Sequence, residues 1–292
     1  MSELLPSVRS VSEAWLLSLE RTAEAPGGRA VHVISTVTDP GAEIEAVRSV
    51  LDDALETAGA QSIETVAETI FPTSIYPDPG ADWSPGLPAD ERDRLDRAAE
   101  ALYAAYSDML PLLLTANGNH SGTYFSRMIS WPGRRPGGFN QLAARIERLR
   151  GEHAAGKRTH NALDMDLGAD ALADDPSEDG DDLRGIQVYA ATDKRTRAFP
   201  CLTHIDLTLY QGRLHAMAVY RHQYLIDKAY GNLLGLSWLM HFLCQQSGFD
   251  VGELVVHATF ADAQVRSRAL SLCREARAAF ESDELVTNGW RR

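Results

Sequence analysis

Apolar side chains recur along this chain at intervals that change several times, and each change marks an element. Val11, Trp15, Leu16 and Leu19 keep the spacing of one helix face and predict a helix over residues 11–24. Ile44, Val47, Val50, Leu51 and Leu55 do the same within a second helical stretch, 41–71, which stops where Phe71 meets Pro72. Between them, residues 30–35 (Ala-Val-His-Val-Ile-Ser) read as a strand. Pro77, Pro79, Pro85 and Pro88 mark a loop before a helix from about 89 to 114. A turn cluster at 117–122 follows, and Leu142, Ile146 and Leu149 return to helical period over 139–149.

The later part of the chain changes character. A strand begins at Ile186. Residues 202–210 and 214–221 then form two strand-like runs around Gln211-Gly212, as a hairpin requires. From 231 to 246 the sequence is apolar on nearly every helical face, which predicts a helix buried in the centre of a domain. Residues 252–258 read as another strand. Strands interleaved with helices make this an α/β (α+β) chain.

With 292 residues, 44% of them hydrophobic, a single domain with a sizeable core is expected over 1–292. The net charge of −13 argues against long nucleic acid as a partner, because phosphate backbones are held by clustered Lys and Arg. Much of that charge is local. Asp164, Asp166, Asp170, Asp174, Asp175, Glu178, Asp179, Asp181 and Asp182 fall in one segment rich in Ala and Gly, so a mobile acidic insertion is expected at about 151–182. Neither a signal-peptide pattern nor an apolar run of membrane-spanning length is present, and the expected location is the cytoplasm, away from membranes.

Cys201, Cys244 and Cys273 are odd in number and lack C-x-x-C spacing, which fits reduced thiols rather than a disulfide frame or a zinc site. Cys244 and Cys273 stand among leucines and read as small core residues. Cys201 opens a strand beside polar residues. An ideal two-residue turn at Gln211-Gly212 sets His222 across from it with Arg221 adjacent, and a bulge would exchange the two. Either cation would favour the thiolate.

Pro200-Cys201, Gly212-Arg213-Leu214, Arg221, Asn232, Gln245-Gln246 and Val251-Gly252-Glu253 occur in the order found in thymidylate synthase and its relatives, the pyrimidine nucleotide hydroxymethylases, and this half of the chain resembles that family. Fainter matches are Glu68-Thr69-Ile70-Phe71, Gly122-Thr123-Tyr124 with Trp131, and Asn140-Gln141-Leu142. The resemblance is good over 185–265. It implies a mixed twisted sheet packed against helices, and a homodimer with sheets back to back. Ile205, Leu207 and Leu209 are expected to lie on a sheet face that the chain's own helices need not cover.

The resemblance also implies a chemistry. A thiolate adding to C6 of a pyrimidine makes C5 nucleophilic, so that C5 can accept a one-carbon unit. Cys201 takes the role of nucleophile, and Glu68 that of the carboxylate that organises water and moves protons at the base. Arg221 holds the phosphate of a pyrimidine nucleoside monophosphate, and Arg184 reaches that of the neighbouring subunit, although Gly185 stands where a second arginine is usual. Asn232 reads the base edge, and Tyr124 belongs to the substrate-binding set. Asp262 and Gln264 occupy the positions of the histidine and tyrosine that hold the sugar hydroxyl.

Several positions depart from the family. His222 replaces a serine, Tyr224 replaces the aspartate that anchors folate, and Lys228 and Gly231 replace a glycine and an aromatic near that cofactor. Residues 287–292 lack the small apolar tail that closes over folate. The expectation is therefore a specialised C5 one-carbon transferase, a hydroxymethylase or methyltransferase using 5,10-methylenetetrahydrofolate. Asn232 favours uracil weakly, since it presents both a donor and an acceptor. Two alternatives remain open: a folate-independent reaction using the same cysteine, and a non-catalytic nucleotide-binding dimer.

Overall fold

A computed structural model describes residues 3–116, 119, 122–131, 137–155, 186–187, 201–282 and 286–287. In chain order the elements are β1 (Glu3–Leu4), α1 (Val11–Glu24), β2 (Arg29–Val37), β3 (Ala42–Glu43), α2 (Glu45–Thr57), α3 (Ile63–Glu68), α4 (Ala89–Leu113), α5 (Tyr124–Ile129) and α6 (Gln141–Ala154). Then come β4 (Ile186–Gln187), β5 (Leu202–Tyr210), β6 (Arg213–Tyr220), β7 (Gln223–Tyr224), α7 (Ala229–Ser247), β8 (Asp250–Asp262), α8 (Arg266–Ser282) and β9 (Val286–Thr287). The described residues thus make a mixed α+β structure in which parallel and antiparallel strand pairs both occur. Among them, no helix is long and apolar enough to cross a membrane.

The chain divides into two compact units. The first comprises Met1–Thr73, Met217–His241 and Val251–Arg292. Its strands run in the order β1-β2-β8-β6, with β7 parallel to β8. The β2–β8 ladder is antiparallel, from Arg29 opposite Asp262 to Val37 opposite Leu254. Helix α1 begins with a capping box: the Ser10 hydroxyl accepts the Glu13 amide, and the Glu13 carboxylate accepts the Ser10 amide. Its stripe of Val11, Trp15, Leu16 and Leu19 is buried, as the spacing predicts, and α1 packs on β2 and α8.

The stretch 41–71 is not one helix. The Gly59 amide returns to the Glu56 carbonyl and the Ala60 amide to that of Leu55, a Schellman closure that ends α2, with Gly59 at φ 60°. Ser62 then caps α3 by accepting the Thr65 amide. The break lets α3 lie against α7. A Cβ on Gly231 would stand 2.6 Å from the Val66 Cβ and 2.7 Å from the Ile63 carbonyl oxygen, so only glycine admits this approach.

The second unit comprises Ser74–Ala216 and Phe242–Asp250. Helix α4 runs unbroken over 25 residues and buries Leu95, Leu102, Tyr106 and Leu110. Pro111 sits in its final turn, so the hydrogen bond that its missing N–H removes is one of the last of the helix. The turn between β5 and β6 has Gln211 at φ 51° and Gly212 at φ 79°, the mirror-image turn whose twist matches a two-residue hairpin. Ile205, Leu207 and Leu209 are buried within the single chain, while Thr203, His204, Asp206 and Thr208 alternate with them at half-exposed positions. The expectation that those three apolar residues lie uncovered is overturned, because on β5 the chain covers its own apolar face.

The terminal part of α7 carries Gln245 and Gln246 into a polar network. Arg150 donates to the carbonyl and side chain of Gln246 and to Asp96, and the Tyr76 hydroxyl donates to Gln245. Helix α7 itself is longer than expected, 229–247, and buried on nearly all faces. Helix α8 was not legible as a helix beforehand. Its buried stripe is Ala269, Leu272, Cys273 and Ala276, mostly small residues with a weak periodic signal. The acidic insertion lies outside the described residues from 156 onward, and 151–154 still belong to α6.

Candidate functional site

In the second unit, Cys201 directly precedes β5 and is half-buried. Tyr124 reaches it from α5. That short helix is fixed by a reciprocal cap, in which the Thr123 hydroxyl accepts the Ser126 amide and the Ser126 hydroxyl accepts the Thr123 amide. Tyr106 of α4 holds Thr123 from behind, with hydroxyls 2.6 Å apart, and its ring meets Phe125 edge-on at 4.8 Å. The Tyr124 oxygen accepts the Leu202 amide over a long 3.4 Å. Burial pushes its hydroxyl up to about 12, the neighbouring Cys201 adds to the rise, and Arg127 opposes it. The Tyr124 hydroxyl thus meets the backbone beside Cys201, from the short helix that also carries Arg127.

Arg127 carried no weight in the sequence reading. Its side chain is 0% exposed, among the largest wholly buried side chains, and its carbonyl accepts the Gln141 side-chain amide from α6. The available signal was its position inside the apolar run Phe125, Met128, Ile129. The two other cysteines behave as core residues: burial raises the thiol of Cys244, and burial with Glu20 and Glu24 nearby raises that of Cys273 to about 12.

The first unit holds the remaining described candidates. The regular strand β6 ends at Tyr220, so the hairpin does not extend to Arg221 and His222 as expected. Instead the chain bends, and β7 joins β8 with Gln223 opposite Ala261 and Tyr224 opposite Asp262. The Thr259 hydroxyl donates to the Arg221 carbonyl at 2.9 Å and fixes the bend. The His222 ring lies 4.4 Å from that of Tyr224 and 5.0 Å from that of Phe260, with Nε2 3.9 Å from Asp262 Oδ2. Asp262, 7% exposed, also meets Arg29 Nε at 3.3 Å and accepts the Gln264 amide at 2.7 Å.

Gln264 adopts φ 60°, and its side chain is committed to the neighbouring loop. Its oxygen accepts the amides of Ile226 and Asp227 at 3.2 and 3.1 Å, and its nitrogen donates to the Asp227 carboxylate at 2.5 Å. His222, Asp262 and Gln264 are thus brought together at the end of β8, Gln264 and Asp262 by a hydrogen bond and His222 by a looser approach of 3.9 Å. The sequence grouped them only through the resemblance.

Asn232 lies within the first turn of α7, its amide donating to the Lys228 carbonyl at 2.9 Å, so it is not the helix cap. It is buried, 5% exposed. Glu68 ends α3, half-buried, and accepts the Thr73 hydroxyl at 2.9 Å. Because Gly231 and Gly235 press on α3, the helices carrying Glu68 and Asn232 are in direct contact. Arg184 and Pro200 lie outside the described residues.

Of the positions that the resemblance sets near a folate, Gly231 is closed by Val66 and Ile63, which leave no room for a side chain. Lys228 hydrogen-bonds Gln61, and burial lowers its pKa. Tyr224 lies against the His222 ring at a 46° tilt, where the resemblance leads one to expect a carboxylate. The chain matches no protein-family model and no curated protein.

Proposed function

We propose that this protein is a C5 one-carbon transferase acting on a pyrimidine nucleoside monophosphate through a covalent adduct of Cys201 at C6, and that it works as a homodimer. The observation that carries the reading is the contact between Tyr124 and the chain at Cys201-Leu202. It fixes the thiol-bearing backbone beside a phenol, with a buried cation on the same helix. In the reaction the Cys201 sulfur forms a bond to C6 and the C5–C6 double bond opens. C5 then bonds the incoming carbon, the C5 proton leaves to a base, and the sulfur departs as the double bond returns. Glu68 takes the proton-moving role, Arg221 binds the phosphate, and Asn232 reads the base; each assignment comes from the resemblance.

The resemblance implies methylenetetrahydrofolate as carbon donor. The closure of Gly231 favours a second reading, in which the same adduct serves a reaction without folate. Release of tritium from C5-labelled uridine and cytidine monophosphates, ribo and deoxy, separates the two. Exchange that needs added folate supports the transferase with that donor, and exchange without it supports the second reading. No exchange with any of the four, from wild-type protein that binds them, overturns both.

A further inference from the structure

The first unit carries a pair of histidines that the proposed reaction does not use. His32 of β2 and His257 of β8 lie on adjacent strands, and His32 Nδ1 stands 3.0 Å from His257 Nε2, with ring centroids 5.2 Å apart. His32 is exposed and His257 half-exposed. The backbone is distorted where the contact is made. His32 holds φ 53°, uncommon for a residue with a Cβ, while the pairs on either side, Val31 with Phe260 and Val33 with Ala258, keep the register of the ladder. Such a distortion persists only where its surroundings over-determine it, and the flanking ladder does so here.

We propose that His32 and His257 form a binding site for a divalent transition-metal ion of the Cu2+, Ni2+ or Zn2+ class. Imidazole is the ligand that these ions share. Two nitrogens on one tetrahedral ion stand about 3.3 Å apart, given metal–nitrogen distances of about 2.0–2.1 Å. The pair already lies close to that separation, so small ring rotations admit the ion. In the pair as it stands, one ring donates its N–H to the other. When the ion binds, that ring carries its proton on its other nitrogen, and both facing nitrogens offer lone pairs.

A metal ligand must be a neutral imidazole, and the surroundings favour that form at His257, where burial lowers the pKa and His32 adds to the effect. Thr259, the next outward-facing residue on β8, donates its hydroxyl to the Arg221 carbonyl and is committed there. Among the described residues no group of three His, Cys, Asp or Glu is placed to hold a metal, so within them the two rings are the whole ligand set and water fills the other positions. A site without carboxylates does not suit Mg2+ or Ca2+, which take oxygen ligands. The proposal does not rest on the chemistry at Cys201.

The test is paramagnetic broadening of the histidine ring signals in NMR spectra of the full chain near neutral pH. Substoichiometric Cu2+ is expected to broaden the signals of His32 and His257 together, ahead of the other histidines, and a chelator to restore them. Mn2+, equally visible but suited to oxygen ligands, is expected to leave both sharp at the same concentration. His257→Gln and His32→Gln are each expected to weaken Ni2+ binding, read by calorimetric titration, by at least about tenfold, since even a partner behind a ligand is worth that much. The ring that remains in either variant is expected to stay sharp at the Cu2+ level that broadens it in wild type. Sharp His32 and His257 signals in wild type under excess Cu2+ overturn the proposal, and so does a remaining ring that broadens as in wild type in both folded variants. A pair that is only hydrogen-bonded gives the first of these results.

Discussion

Two arginines, Arg48 in the first unit and Arg127 in the second, are withdrawn from water in different company. Arg48 meets Glu43 through two contacts at 3.0 and 3.2 Å, pairs with Asp52 one turn on, and contacts Glu64. Glu43, buried, also accepts the Tyr230 hydroxyl at 2.8 Å, and Tyr230 lies 2.7 Å from the Ser12 hydroxyl. Burial works against the Arg48 charge, but Glu43, Tyr230 and Asp52 outweigh it and hold its pKa above the ordinary value. That network joins β3, α2, α1 and α7 with carboxylates matched to the cation, and its role is architectural. Arg127 lies wholly buried on the short helix α5, which its carbonyl ties to α6 by accepting the Gln141 side-chain amide. Burial alone therefore does not give an arginine its role; the groups that meet it do, and at Arg48 those are carboxylates.

The contrast can be broken by substitution. The largest effect is expected for Glu43→Ala, which leaves Arg48 and Tyr230 buried without their shared acceptor and should cost about 3–5 kcal/mol in urea unfolding. A loss under about 1 kcal/mol would show that the network is ornamental. Gly231→Ala forces a Cβ into Val66 and the Ile63 carbonyl and should cost about 1–3 kcal/mol, read from the same melts.

The smallest effect is one of pH. Burial lowers the pKa of His241 below the ordinary imidazole value, outweighing its bond to the Ser237 carbonyl and the nearby Asp39. A lowered folded pKa means that the unfolded chain takes up the proton first. The contribution is therefore complete above about pH 6.5 and is lost as the pH falls from there through the folded value. Melting temperatures at pH 7.5 and 5.5 should fall more steeply for wild type than for His241→Gln; equal slopes would contradict this.

What the sequence made legible follows the range of the interactions involved. Helices α1, α4 and α7 and the hairpin turn were readable because periodicity and turn residues act over a few positions. The break at Gly59 was read through, since apolar spacing continues past it at Ile63, Val66 and Ile70 and hides the closure that ends α2. The early end of β6 was hidden for another reason: β7 is drawn to β8 by a tertiary pairing that no local pattern announces.

The candidate site shows the same limit. Cys201 and Tyr124 were both named through the resemblance, but their contact spans 78 residues from Tyr124 to Leu202 and is invisible to local reading. Arg127 was missed because an arginine in an apolar run is ordinarily a helix-surface residue, and only packing reveals it as buried.

The measurement that bears most directly on the account is trapping with 5-fluoropyrimidine nucleoside monophosphates, read by mass spectrometry of the denatured protein. With methylenetetrahydrofolate added, C5 bonds the incoming carbon, and fluorine cannot then leave as a proton does, so the sulfur at C6 is arrested there. The account predicts that the peptide containing Cys201 gains the mass of one nucleotide with its bound one-carbon donor, a gain absent in Cys201→Ala. Intact mass unchanged with both uracil and cytosine analogues, while iodoacetamide still labels Cys201, would contradict it.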